Sequence, residues 1–450
     1  MDPARKLKLK AALRRTLRWL CWLTAGSGLL LLLAGLIWFR HALYHRWVRF
    51  PAEVASLAAL RADRQPVSET TGWPEYRGIL HSHSRLSHDC EVPFEHILQV
   101  MQDTGRDFIC LSDHCDQGRA DFSRQWRGLH DGKLFIPGYE MKEGLMPFGV
   151  ASGVVLSNQA SARVLARQIN AQGGVLFFAH SEEPRDWETP ELAGMEIYNI
   201  HADFKDQRLS LGQFLPDVLL NLGRYPDQVA RLIFDPPTAN LQRWDRLNRT
   251  RHITGIAGND CHQNTGLRGI HTAAGTVRIE DTSPATKAEF KLNFLTRWLA
   301  RICCGSLEPG RTLFQVQLDP YERMTRFVAT HVLARELTEP AILEALRVGR
   351  AFVAFDMLAE SAGFVWMWQS GQDRAVMGEE RPFVPDSKLV AAAPQVCQFI
   401  IFEDGSPKHT QIGRRLEYSP PRAGAYRVEA RLLINSQWVP WIYSNPIWLR

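Results

Sequence analysis

Hydrophobic spacing along this chain changes several times, and each change marks an element. An uncharged run from Trp19 to Phe39 meets the length of about 20 apolar residues that a helix needs to cross a bilayer. Polar, mixed sequence follows over 40–74, with helical spacing around Ala52 to Arg61. From Glu75 apolar strands and amphipathic helices alternate. A first strand ends at His81, and Phe94, Ile97, Leu98 and Met101 then recur at helical spacing. Further strands are expected over Phe108 to Leu111, Lys133 to Met141, Phe148 to Leu156, Val175 to Ala179, Gly194 to Ile200 and Ile253 to Ile256. Helices are expected over Ala160 to Gln172, closed by Gly173-Gly174, over Asp206 to Leu222, and over Asn240 to Leu247.

That alternation predicts an α/β fold, and a barrel with its chemistry at the carboxyl ends of the strands suits it better than a flat doubly wound sheet. Residues 285–350 read as helical and arginine-rich, including Phe294 to Cys303, Tyr321 to Ala334 and Pro340 to Val348. Beyond Gly349 short β segments such as Gly363 to Trp368, Gln398 to Phe402 and Tyr426 to Ile434 are separated by turn residues. The expected organisation is a basic tail (1–18), a transmembrane anchor (19–39), a linker (40–74), a barrel (75–284), a helical segment packing on or completing the barrel (285–350) and a small β-sandwich (351–450).

Charge sharpens the reading of the N-terminus. The net charge of +5 arises there, because the first 50 residues hold ten Lys or Arg against one acid and leave 43 basic and 47 acidic residues elsewhere. No basic face for nucleic acid follows from that balance. The heavier basic flank precedes the apolar run, so the tail is expected to stay cytoplasmic and the remainder to be exported, which in a bacterium means an inner-membrane protein with a periplasmic catalytic domain. Trp38-Phe39-Arg40 offers no small-x-small cleavage site, which favours an uncleaved anchor. The cysteines show no repeated spacing, and small buried thiols are expected rather than a disulfide framework.

Histidines and carboxylates recur just past the apolar strands: His81 and His83 in H-x-H, Asp89, His114 in S-D-H, Glu140 in G-Y-E, His180 in F-A-H, His201, and Asp260 and His262 in D-x-H. Residues two apart on a strand face the same way, so His81 and His83 can close on one cation. Neutral imidazole and carboxylate suit Zn, Mn or Fe. Nine ligands exceed what one ion can use, which implies two or three divalent ions sharing a bridging group. Asp113 is expected to orient a ligand rather than bind metal.

His81-Ser82-His83, Ser112-Asp113-His114, Gly138-Tyr139-Glu140, His180 and Asp260-Cys261-His262 together resemble the motifs of the PHP (polymerase and histidinol phosphatase) family. The stretches Gly349 to Phe352 and Pro440 to Pro446 are similar to the membrane-attached or exported PHP hydrolases grouped with CehA/McbA. The resemblance implies a distorted (β/α)7 barrel holding a di- or trinuclear centre that hydrolyses phosphate mono- or diesters. It makes His81, His83, Glu140 and Asp260 ligands at one end, with Glu140 bridging. It gives Asp89 and His114 to a neighbouring ion, and His180 and His201 to a middle or third position, with His262 beside Asp260. His88 is an alternative to Asp89, and Asn199 to His201. The expected nucleophile is a metal-bound hydroxide, formed because divalent ions bring the pKa of bound water towards ~7. His180, His201 or water would protonate the leaving alcohol. The expected substrate is a small-molecule or lipid-head-group phosphoester. A carboxylic or carbamic ester hydrolase and a non-catalytic envelope scaffold are the competing expectations.

Overall fold

The computed structural model describes the backbone of residues 3–206, 211–281 and 286–450, and the side chains of residues 14–203, 214–281 and 286–450. The expected boundary at 284/285, part of the helix expected over Asp206 to Leu222, and the basic side chains before residue 14 lie outside the described residues. The chain divides into two compact units, residues 1–55 with 206–233, and residues 56–205 with 234–450.

In the first unit the helix Pro3–Tyr44 continues through a π-helical turn, His45–Arg49, into the helix Phe50–Ala62. The stretch expected as an anchor lies within it, and this helix is long and apolar enough to cross a membrane. Its C-terminal end packs on the helices Leu211–Asn221 and Pro226–Arg231. His45 Nδ1 meets Asp217 Oδ2 at 2.9 Å, Asn221 Nδ2 donates to the Ala42 carbonyl at 2.9 Å, and Arg231 pairs with Glu53 at 2.9 Å.

In the second unit the strand Glu75–Leu80 is parallel to Phe108–Cys110, which is parallel to Lys133–Ile136. A second sheet runs Leu145–Phe148, Val175–Phe178, Leu192–Asn199, Thr254–Gly258, parallel except for its first pair. Leu80, Phe108, Ile136, Phe148, Phe177 and Ile256 fill the space between them, and Ile342 and Leu346 of the helix Glu339–Val348 cover the same core. Each such side chain taken from water stabilises the fold by roughly 1.5–3 kcal/mol. The architecture is mixed α/β. Among the described residues no ladder closes on itself; the two sheets meet at the isolated bridges Ser82 to Cys261 and Gly138 to Phe148.

Several expected elements differ. The segment Tyr321 to Ala334 is not one helix: it breaks after Tyr321–Phe327, and Ala329–Leu333 is a buried strand paired on both edges, where the β-branched Thr330 and Val332 fit a pleated surface. The strand expected over Phe148 to Leu156 is cut by Gly149 and Gly153, whose φ values of 68° and 88° leave Leu145–Phe148 and Val155–Ser157. Residues 285–350 are not uniformly helical: Thr286–Lys291 and Thr312–Gln317 join Gly266–His271 and Thr276–Asp281 in a four-stranded antiparallel sheet. The strands beyond Gly349 are antiparallel except for the pair Glu380–Arg381 with Ile447–Leu449, and they continue the first sheet through Ala351–Ala354 and Ala329–Leu333 instead of standing apart from it as a sandwich. Continuation leaves neither set with a bare edge there.

A buried polar network pins this junction. His331 Nδ1 faces Glu75 Oε1 at 2.6 Å and its Nε2 faces Asp356 Oδ2 at 3.0 Å, while Arg106 pairs with Asp356 at 2.6 Å and donates to the Thr325 carbonyl. Burial acts downward on His331, but Asp356 and then Glu75 override it and raise the imidazole to about 9.

Candidate metal centre

Backbone hydrogen bonds beyond the strand ends sew the rim together. Asn259 N donates to Leu80 O at 3.0 Å, Asp260 N to His81 O at 2.6 Å and His83 N to Cys261 O at 3.0 Å. Ser112 N donates to Ser82 O, and His114 pairs in parallel register with Glu140. The tails carrying Asp260 and His262, His81 and His83, His114, and Glu140 therefore lie side by side.

All nine expected residues fall into four overlapping groups able to hold a metal ion: His83, Asp89, His114 and His262; His81, His180 and Asp260; His81, His83 and Glu140; and His201, Asp260 and His262. Glu140 is central. Its Oε2 lies 3.3 Å from His81 Nε2, 3.7 Å from His83 Nε2 and 3.5 Å from His114 Nδ1, while its Oε1 lies 3.2 Å from His180 Nε2. Asp260 Oδ1 is 3.3 Å from the Nε2 atoms of both His81 and His83, and its Oδ2 is 3.5 Å from His180 Nε2. Asp89 Oδ2 sits 3.3 Å from His262 Nε2 and 3.5 Å from His114 Nε2. Asp89 and His114, each 27% exposed, mark the open side; His81, His83 and Asp260 are enclosed.

Three imidazoles have their outer nitrogen engaged and the inner one turned to the cluster. His81 Nδ1 meets Glu196 Oε1 at 2.5 Å, His83 Nδ1 meets Ser87 Oγ at 3.0 Å, and His180 Nδ1 meets Glu182 Oε1 at 3.2 Å. Such partners fix the tautomer and leave Nε2 as the free lone pair. Asp113 does not reach the cluster directly. It accepts from Ser84, Ser87 and Gln125, and so holds Ser87 for His83, matching the orienting role expected of it.

Electrostatics at the centre are set by burial and by imidazoles and carboxylates that face one another. Burial acts upward on Glu140 and Asp260, yet the imidazoles around them together outweigh it, His81 with His180 for Glu140 and His81 with His201 and His262 for Asp260, and hold both carboxyls well below the usual range. Burial acts downward on His81, but Asp260, Glu196 and Glu140 raise it well above the ordinary imidazole value. Against burial, Glu140 and Glu182 lift His180 to about 10. His83 goes the other way, lowered by burial and by His262. Among the described residues, His83 Nε2, Asp89 Oδ1, Asp260 Oδ1 and His262 Nε2 are buried without a hydrogen bond of acceptable geometry. Buried polar atoms that converge and remain unmatched fit a site built for cations.

Sequence reasoning missed Glu196, Ser87 and Glu182 as positioning groups. Glu196 is fully buried and also accepts from His180 N at 2.7 Å and Asn199 Nδ2 at 3.0 Å. Its signal was present: a lone acid within the all-buried strand Leu192–Asn199 requires partners. Asn199, an alternative to His201, points to Glu196 and Asp260, whereas His201 is grouped with Asp260 and His262. His88 stacks near His114 at 5.0 Å between ring centroids and belongs to none of the four groups. Arg185 and Arg268, close in sequence to His180 and His262, are engaged by Glu183 and Glu280.

No family model matches the chain, and no curated protein matches it. Among solved structures, one similar chain is a two-domain protein from Bacteroides vulgatus described as containing a predicted PHP-like metal-dependent phosphoesterase. It is 13% identical, with a TM-score of 0.38, over 85% of this chain and 98% of that one.

Proposed function

We propose that the chain is a membrane-anchored, exported metal-dependent phosphoesterase of PHP type, holding two or three divalent ions (Zn, Mn or Fe) and acting on phosphate mono- or diesters. The observation that carries this reading is the convergence of unmatched, buried nitrogen and oxygen atoms whose opposite nitrogens are already engaged. The residues fit the ions: His81, His83, Glu140 and Asp260 would hold one, Asp89, His114 and His262 a second, and His180 with His201 would complete a third. Ions held there supply Lewis acidity, making water a nucleophile near neutral pH and offsetting charge on phosphoryl oxygens.

The chain's own groups do the rest. Glu140, facing four imidazoles, would be the carboxylate shared between ions. The open side at Asp89 and His114 admits the substrate. His180 or His201 would pass a proton to the leaving alcohol, each standing in a group with Asp260. The bridges at Ser82 to Cys261 and Gly138 to Phe148 support reading the strands around this rim as the wall of a distorted (β/α)7 barrel. The basic flank ahead of Trp19 supports a cytoplasmic N-terminus.

The test is metal analysis and turnover on the full chain in detergent, with p-nitrophenyl phosphate, bis-p-nitrophenyl phosphate and a naphthyl carbamate in parallel. Phosphoester hydrolysis abolished by chelation, restored by Mn or Zn and absent in His83→Ala is the expected result. Substoichiometric metal with no turnover after adding Mn or Zn would leave only a scaffold. Carbamate turnover alone would move the reading to carbonyl esters.

A further inference from the structure

Within the second unit, the four-stranded sheet and its helix extend directly from the metal rim. The chain departs at Thr265, three residues after His262, and returns at Asp319, two before Tyr321, whose hydroxyl donates to the His83 carbonyl at 3.2 Å. Asp319 clamps the two crossings by accepting from Asn264 N at 3.1 Å and Thr265 N at 2.9 Å. Within this excursion the helix Phe294–Cys304 is well formed: Asn293 caps it by accepting from Thr296 N at 2.9 Å, and Gly305, at φ 82°, ends it. None of its residues is buried.

That exposure is lopsided in chemistry. Phe294, Leu295, Trp298, Leu299 and Ile302 are 44–90% exposed and recur at the spacing of one helix face, with Arg297 and Arg301 along its edge. The neighbouring sheet exposes apolar side chains as well. Its register puts Leu267, Phe314 and Phe290 on one face, and each is exposed. A monomer in water rarely leaves so large an apolar stripe open. Phe, Leu and Trp on one side with arginines beside them are the composition of a helix lying in a bilayer interface, where the arginines meet anionic head groups. The same chain carries a helix long and apolar enough to cross that bilayer.

We propose that the helix Phe294–Cys304 docks in the head-group region of an anionic membrane, and that the metal centre from whose rim it extends takes a phosphoester carried by a lipid of that membrane. The substrate half of this inference rests on the hydrolase reading; the docking half does not.

The test uses the full chain reconstituted in phosphatidylethanolamine and phosphatidylglycerol vesicles, with the exposed Cys21 and Cys303 and the half-buried Cys304 replaced by serine. A polarity-sensitive fluorophore is placed at Ile302→Cys or, as control, at the exposed Leu433→Cys. The label at 302 should be quenched by acyl-chain nitroxide lipids about fivefold more than the label at 433, and be shielded from aqueous iodide. Phe294→Glu with Trp298→Glu should abolish that difference while circular dichroism stays unchanged. The same variant should hydrolyse bis-p-nitrophenyl phosphate at the wild-type rate and vesicle phospholipid several-fold more slowly. Equal iodide quenching at both positions would overturn docking. Shielding at 302 from both quenchers would overturn it too, because a second copy or another protein would then cover the face. Equal turnover of lipid by variant and wild type would overturn the substrate half, whereas no turnover of either substrate would sink the hydrolase reading and leave the quenching result standing.

Discussion

Replacing Glu196 by Gln tests whether the cluster is held as a metal site or merely packed as one. The carboxylate accepts on both oxygens: Oε1 from His81 Nδ1 at 2.5 Å, and Oε2 from His180 N at 2.7 Å and Asn199 Nδ2 at 3.0 Å. Gln has nearly the same shape but only one acceptor oxygen. If that oxygen keeps the two donors on the Oε2 side, its amide points N–H at His81 Nδ1. The imidazole must then give up its Nδ1 proton and carry one on Nε2, the nitrogen that faces Glu140 and Asp260. The reverse flip leaves a buried backbone N–H opposite a donor, at a cost of about 1–3 kcal/mol. Either way one ligand is weakened. Loss of such a partner lowers metal affinity roughly 10–100-fold, or about 1.4–3 kcal/mol. Chelator competition on the purified full chain measures this directly, with Glu182→Gln as comparison. Glu182 is 33% exposed and water can replace it, so its effect should stay under about tenfold. Affinity for Mn or Zn within about twofold of wild type in Glu196→Gln would refute the argument that Glu196 sets the tautomer of His81.

Other outcomes follow from the same structure. A Cβ at Gly258 would lie 2.2 Å from Glu196 Oε1, so Gly258→Ala should cost roughly 1–3 kcal/mol and reduce bound metal, read by denaturant unfolding and elemental analysis; unchanged values for both would contradict the fixed carboxylate. His331 is raised to about 9, so its contribution is complete below the ordinary value near 6.5 and is lost as pH climbs through 9. Unfolding free energy should therefore fall by roughly 3 kcal/mol between pH 6 and 10, and His331→Gln should flatten that slope; a parallel slope in the variant would assign it elsewhere. Ions that bind only the folded chain add about 4 kcal/mol at a thousandfold excess over Kd, so chelation should lower Tm by several degrees, and an unmoved Tm would count against occupied sites.

The candidate cluster was legible because each member lies within a few residues of an apolar strand, so strand recognition and chemistry could be read together. His81, His114, His180 and Asp260 all follow this rule. The groups that aim them were harder to see. Ser87 acts on His83 across a loop, and Glu196 reaches His81 from a strand more than a hundred residues away. Nothing local in sequence encodes those pairings. The stretch from Tyr321 to Ala334 shows a different obstacle: a short buried strand such as Ala-Thr-His-Val-Leu is apolar enough to satisfy a helical window as well. The antiparallel character of the C-terminal strands was readable from alternation. Their continuation through Ala351–Ala354 into the first sheet was not, since strand partners are chosen by tertiary register.

Backbone conformation adds an argument for the centre that depends on neither motif nor electrostatics. His81, His180 and Asp260 occupy the left-handed region, with φ of 60°, 48° and 48°. Each costs on the order of 1–3 kcal/mol relative to an unstrained residue, and glycine would sit there without the penalty. A turn at these points could thus be made more cheaply by removing the side chain altogether. The surrounding structure instead enforces the strain, through Asp260 N to His81 O at 2.6 Å and Glu196 to His180 N at 2.7 Å. What the left-handed turn accomplishes is to swing each side chain off the strand line and over the rim, where His81 Nε2 and His180 Nε2 both come within 3.5 Å of Asp260. Strain borne at the three residues whose donor atoms converge, and held there by fixed hydrogen bonds, is what a preorganised ligand set requires and what packing alone would relax away.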